Sequence, residues 1–163
     1  MNICVISDTH LQNDFSLIPT KAISLIKHSD LLIHCGDIVT ENSYSFFKKL
    51  NKYLVAVQGN WDYDLSFLPL KELLQVEGLK VGVTHGHLNP NNHTRFGTEQ
   101  RTIAMFQPVK PEIILFGHTH HITDKQYGNT RLLNPGSLVE GKRSLLQLKV
   151  EKAVFEVNFE RFD

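Results

Sequence analysis

Short apolar runs that stop at polar or glycine positions punctuate this chain throughout. Residues 2–6 read as a buried strand, and 17–28 set Leu17, Ile18, Ala22, Ile23, Leu25 and Ile26 at helical spacing with Lys21 and Lys27 between them. A strand at 31–35, an amphipathic helix at 42–51 carrying Tyr44, Phe46, Phe47 and Leu50, and a strand at 53–57 follow. This β-α-β-α-β alternation predicts a parallel or mixed sheet covered by helices. Beyond it the pattern changes. Residues 70–76 and 79–84 flank Glu77-Gly78 as a hairpin, a helix at 98–107 is ended by Pro108, and a strand occupies 112–116. Two more hairpins are expected, turning at Gly128-Asn129 and at about Glu151-Lys152. The fold class is α/β, with two mixed sheets stacked face to face and helices outside. The stretch 86–97 is rich in Asn, His and Gly without periodicity, and reads as a mobile active-site loop.

Composition narrows the class. The 163 residues suit one domain spanning 1–163, large enough to bury a sizeable core. Seventeen basic residues balance seventeen acidic ones, so no overall field draws the chain to nucleic acid or an anionic membrane. Any phosphate chemistry must come from a local site. Cys4 and Cys35 lie in apolar runs without a CxxC pair and are expected to be reduced and buried. The first apolar run meets Asp8 too early for a secretory leader, and no run approaches the ~20 residues of a membrane span. A cytoplasmic location is expected.

The chemistry-bearing residues stand where the apolar runs end. In order they are Ser7-Asp8-Thr9-His10, Cys35-Gly36-Asp37, Gly59-Asn60-Trp61-Asp62, Thr84-His85-Gly86-His87 and Gly117-His118-Thr119-His120. Singly, each has an ordinary reading: Asp8 and Asp37 as turn residues, Gly59-Asn60 as a turn. Successive strand ends, however, deliver side chains to one crevice. Asp8, His10, Asp37, Asn60, His85, His118 and His120 are too many for one tetrahedral ion and suit two metals sharing a carboxylate. The mixed O/N donor set favours Mn, Fe, Zn or Co over Ca or Mg. Two-metal centres stabilise the attacking and leaving oxygens of phosphoryl displacement, which makes phosphate-ester hydrolysis the expected reaction.

This ordered set, D-x-H, G-D, G-N-x-D/E, a His beside glycine, and G-H-x-H, resembles the calcineurin-like metallophosphoesterases. It is most similar to their small prokaryotic phosphodiesterase branch, to which the scaffold subunit of eukaryotic retromer is also similar. Asn134-Pro135-Gly136-Ser137 resembles the tail motif of that branch. The resemblance implies the metallophosphoesterase sandwich, with Asp8, His10, Asp37 and His120 on one metal and Asp37 bridging to a second held by Asn60, His85 and His118. It implies two divalent ions, manganese first, with Ni, Co, Zn, Fe or Mg as alternatives, and metal-activated water or hydroxide as the nucleophile. The substrate expected is a phosphodiester small molecule or nucleotide-type compound; an oligomer is compatible with the sequence. The other readings are a phosphomonoesterase or pyrophosphatase on the same centre, or a protein-interaction scaffold without turnover.

One position departs from the family pattern. Many members carry His after the motif Asn, where it is held to protonate the leaving oxygen; here it is Trp61. An indole N–H donates a hydrogen bond but cannot release a proton to an alkoxide. Activated aryl diesters should therefore outrun alkyl diesters. His87 is the nearest replacement by sequence, so Asn60 and His87 are assigned to catalysis, and Trp61 and His87 to substrate binding. Asp62 is expected to orient a ligand imidazole or hold its loop by hydrogen bonds. His28, His34, His93 and His121 are read as structural or solvated.

Overall fold

A computed structural model describes residues 1–87 and 97–162. Ten strands form two five-stranded mixed sheets. The first has the order β10-β9-β1-β2-β3, built from β1 (Asn2–Ile6), β2 (Leu31–His34), β3 (Leu54–Ala56), β9 (Ser144–Glu151) and β10 (Val154–Arg161). The second has the order β4-β5-β6-β8-β7, from β4 (Lys71–Val76), β5 (Leu79–Thr84), β6 (Ile113–Leu115), β7 (Ile122–Tyr127) and β8 (Thr130–Pro135). Helices α1 (Thr20–His28), α2 (Glu41–Leu50) and α3 (Thr98–Phe106) complete the fold.

The two-residue period of a strand explains the layers. Along β1, Ile3 and Val5 enter a core shared with Val81, Val83, Ile113, Leu115 and Leu133 of the second sheet. Cys4 and Ile6 face the other way, into a core with Ala22 and Ile26 of α1 and Phe47 of α2. A strand covered on both faces reads as a continuous apolar run, which is why β1 carries no polar alternation. On the far side, Phe106 of α3 packs with Ile114, Phe116 and Leu132. The result is the expected stack of helices, sheet, sheet and helix.

Some boundaries moved for local reasons. The helix expected over 17–28 begins at Thr20 instead. Phe15–Leu17 form a 3-10 turn capped by the Asp14 carboxylate, and Ile18 is extended because Pro19 follows it. The last hairpin turns through Lys152 and Ala153, at φ 49° and 62°, one position later than expected. The other strands and helices fall within a residue or two of expectation. Of the loop 86–97, residues 88–96, His93 among them, lie outside the described residues. Cys4 and Cys35 are buried and unbridged, and burial pushes the Cys4 thiol up to about 12. Among the described residues no helix is long and apolar enough to cross a membrane.

Candidate metal centre

In the first sheet β1, β2 and β3 run parallel, and in the second β5, β6 and β8 do. The carboxyl ends of these strands meet at one edge of the sandwich. Asp8 and His10 follow β1, Asp37 follows β2, Asn60 follows β3, His85 and His87 follow β5, and His118 and His120 follow β6. The loops turn sharply enough to put non-glycine residues in the left-handed region: Asp8 (φ 52°), His10 (46°), Asp37 (58°), His118 (70°) and His120 (60°). Each such backbone costs on the order of 1 kcal/mol or more and persists only where neighbours enforce it.

The enforcing contacts are specific. Both Asp8 oxygens accept the His118 N–H, at 3.1 and 3.0 Å. The Asp8 N–H donates to the Gly36 carbonyl at 3.0 Å, and those of Thr9 and His10 to the Asp37 carbonyl at 3.1 Å each. Asp62 does not touch a ligand imidazole. Its buried carboxylate accepts three backbone N–H groups, from Asp37 (2.9 Å), Gly59 (2.6 Å) and Val39 (2.6 Å), tying the Asp37 loop to the Gly59-Asn60 loop. The tail motif has the same function on the opposite side. Asn134 donates to the Gly117 carbonyl at 2.8 Å, and the Ser137 hydroxyl donates to the Asp8 carbonyl at 2.7 Å. At Gly117 a Cβ would strike Ser7 Oγ and lie 3.0 Å from Asp8 Oδ2; at Gly59 it would strike Asp37 Oδ1. Neither loop can approach its partner with a side chain there.

Six of the expected residues meet directly. Asp37 Oδ2 lies 3.4 Å from His10 Nε2 and 3.3 Å from His85 Nε2. His85 Nε2 is also 3.0 Å from Asn60 Oδ1 and 3.9 Å from Asp8 Oδ1. His120 Nε2 stands 3.3 Å from Asp8 Oδ1 and 3.4 Å from His10 Nε2. His118 joins through its ring, whose centroid is 5.1 Å from that of His85. Two sets of three, Asp8-His10-His120 and Asp8-Asp37-His85, each offer donor atoms within 4.8 Å of one another. Outer contacts select the tautomers. His85 Nδ1 faces the Cys35 carbonyl at 2.7 Å and His120 Nδ1 faces Glu140 Oε2 at 3.2 Å, so both Nε2 lone pairs point into the cluster.

Electrostatics agree with a cation-seeking cluster. Burial alone would raise the Asp8 carboxyl, but the His120 hydrogen bond and the charge of His85 hold it below the usual carboxylate range. For Asp37 the same burial is outweighed by the charge and hydrogen bond of His85. Burial disfavours charge on His85, yet Asp37 raises it to about 9, and a divalent cation in the same place would replace that proton.

His87 and Trp61 border this contact set without adding a side-chain donor atom to it. His87 is buried against His85 at a ring-centroid distance of 5.3 Å, with neither ring nitrogen hydrogen-bonded among the described residues. Burial, then the charge of His85, pushes it down to about 4. Trp61 is half exposed; its backbone N–H donates to Asp37 Oδ1 at 2.9 Å and its ring meets His10 edge-on at 6.2 Å. A cavity of about 410 Å³ opens there, lined by His10, Gln12, Val39, Trp61, His120 and Glu140. His34 is buried with Nε2 3.1 Å from Thr9 Oγ1, while His28 and His121 are exposed. Glu140 had no signal in the sequence, being a lone acidic residue twenty positions beyond His120. Gly59 and Gly117 were visible only as parts of their motifs.

The calcineurin-like phosphoesterase superfamily domain matches residues 1–156. A probable metallophosphoesterase of Methanocaldococcus jannaschii is 34% identical over 154 residues, covering 93% of this chain and 77% of that protein. Zinc-complexed Vps29 from Entamoeba histolytica has the same fold, with a TM-score of 0.77 at 21% identity over 100% of this chain and 99% of that one. A novel archaeal phosphodiesterase superposes with a TM-score of 0.71 at 24% identity, over 98% of this chain and 100% of its own. The matched domain takes in every residue of the strand-end cluster, and the chain belongs to the calcineurin-like phosphoesterases, a metal-dependent family of phosphoester hydrolases.

Proposed function

We propose that the protein is a metal-dependent phosphodiesterase with a binuclear centre. The observation that carries this reading is Asp37 Oδ2, one oxygen within 3.4 Å of His10 Nε2 on one side and 3.3 Å of His85 Nε2 on the other. Asp37 would therefore be the carboxylate shared between the two positions. Asp8, His10 and His120 would complete one position and Asn60, His85 and His118 the other. The mixed imidazole and carboxylate donors suit Mn, Fe, Zn or Co better than Mg, and the family resemblance puts Mn first, with Ni also possible. Divalent ions so held would supply Lewis acidity and would lower the pKa of bound water. The chain's own part is to keep both Nε2 lone pairs aimed inward and the loops in their strained register.

The mouth supports a diester over a monoester. Among the described residues its lining contains no Lys or Arg to pair with the second charge of a monoester dianion, and it contains the carboxylate of Glu140. The archaeal neighbour described as a phosphodiesterase shares this fold. Trp61 offers a face for an aryl or nucleobase group, and we assign Asn60 and His87 to the catalytic set, His87 contributing as a neutral, buried imidazole beside His85. A scaffold role would not require seven candidate ligands to be intact. The protein is proposed to act in the cytoplasm on a small-molecule or nucleotide-type diester. Metal analysis joined to assays of model di- and monoesters with Mn, Ni, Co and Mg tests the proposal. Two ions per chain, with diesterase activity abolished in Asp37→Ala and His85→Ala, are expected. Metal-free protein without turnover under every metal would replace it with the scaffold.

A further inference from the structure

Glu140 is the only carboxylate outside the candidate ligand set that lines the mouth, among the described residues. Its side chain is 52% exposed, and Oε2 lies 3.2 Å from Nδ1 of His120, whose Nε2 is 3.3 Å from Asp8 Oδ1. The charge therefore sits one imidazole ring away from the cluster. It is not a loose surface residue. The Glu140 N–H donates to Ser137 Oγ at 3.0 Å, and that hydroxyl donates to the Asp8 carbonyl at 2.7 Å, so the loop is pinned to the strand-end it overlooks. Lys142 and Arg143 follow in the chain, but neither lines the cavity.

We infer that Glu140 is a specificity determinant that discriminates against doubly charged phosphoryl groups at the mouth and so favours monoanionic diesters. This rests on the phosphodiesterase reading above. A diester carries one negative charge and a monoester at pH 8 carries two, so a fixed carboxylate repels the second class by one further unit charge. The repulsion acts across a partly solvated distance of several ångströms, where one unit charge changes an equilibrium about three- to tenfold. The same residue also positions His120, because its carboxylate accepts the hydrogen bond of Nδ1–H at 3.2 Å. Glutamine separates the two roles: its amide oxygen still accepts from Nδ1, while the charge is gone.

The test uses the full-length, Mn-loaded protein and its Glu140→Gln and Glu140→Lys variants. The ratio of kcat/KM for p-nitrophenyl phosphate to that for bis-p-nitrophenyl phosphate, at pH 8 and low salt, should rise about three- to tenfold in Glu140→Gln and further in Glu140→Lys. High salt should compress the differences. In parallel, calorimetry compares dianionic phenylphosphonate with monoanionic methyl(phenyl)phosphinate, neither of which contains an ester bond to hydrolyse. The dianion-to-monoanion affinity ratio should move in the same direction. Ratios that stay at the wild-type value in both variants would overturn the inference. If wild-type protein binds metal yet turns over neither ester, the functional reading fails, and the affinity ratios still decide the role of Glu140.

Discussion

Replacing Asp62 tests whether the site is held together by its backbone. The carboxylate is buried and satisfies three N–H groups, those of Asp37 and Gly59 on Oδ2 and that of Val39 on Oδ1. Burial raises its pKa against the pull of those donors, so the contact depends on the carboxylate staying charged. Alanine strands two buried donors and the partly buried one of Val39, each costing roughly 1–3 kcal/mol, for an expected loss of about 3–9 kcal/mol. That is a large fraction of a typical total of about 5–15 kcal/mol. Asparagine can keep its oxygen on the Asp37 and Gly59 donors and oppose its amide only to Val39, so it should lose about 1–3 kcal/mol. Because the lost bonds orient Asp37, metal affinity should also fall about 10–100-fold in either variant. Urea unfolding in EDTA measures the first quantity and metal titration calorimetry the second. An Asp62→Ala protein destabilised by less than about 1 kcal/mol or binding metal like wild type would refute the reasoning.

Three further outcomes are expected. Gly117→Ala places a methyl against Ser7 Oγ and 3.0 Å from Asp8 Oδ2, so melting temperature and metal stoichiometry should both drop; a variant unchanged in both would show that the loop can yield. His34 is buried and neutral, with burial pushing it down to about 3 from 6.5. Its unfolded state takes up a proton below pH 6.5 that the folded state refuses, so stability present above pH 6.5 is lost as pH falls, by about 2 kcal/mol between pH 6.5 and 5. In metal-free unfolding series, His34→Phe should flatten that slope by nearly one proton, and parallel slopes would count against it. Trp61→Ala should raise KM for aryl diesters about 5–100-fold if the indole stacks on the substrate, and wild type should strongly prefer aryl over alkyl diesters; equal rates on bis-p-nitrophenyl phosphate and a dialkyl phosphate would exclude the leaving-group argument.

The amino-acid sequence alone determined the strands, the layer order and the candidate ligands. Period-two burial along β1, helical spacing in α1 and α2, and Asp, Asn and His at successive strand ends are all local patterns, and local patterns survive without coordinates. Even the late start of α1 was local, since Pro19 dictates an extended Ile18. What only tertiary structure decided are relations between loops far apart in the chain. Asp62 could have served an imidazole or a loop, and its three N–H partners are backbone groups from three different positions. Ser137 reaches the Asp8 carbonyl across 129 residues, and Glu140 reaches the ring of His120. Trp61 turns its backbone to Asp37 and half its indole to solvent. These contacts depend on where two sheets bring their carboxyl ends together, and no spacing along the chain encodes a distance between separate loops. Residue types revealed which chemistry was possible; the packing of the sheets decided which side chains meet at the strand ends and which hold them in place.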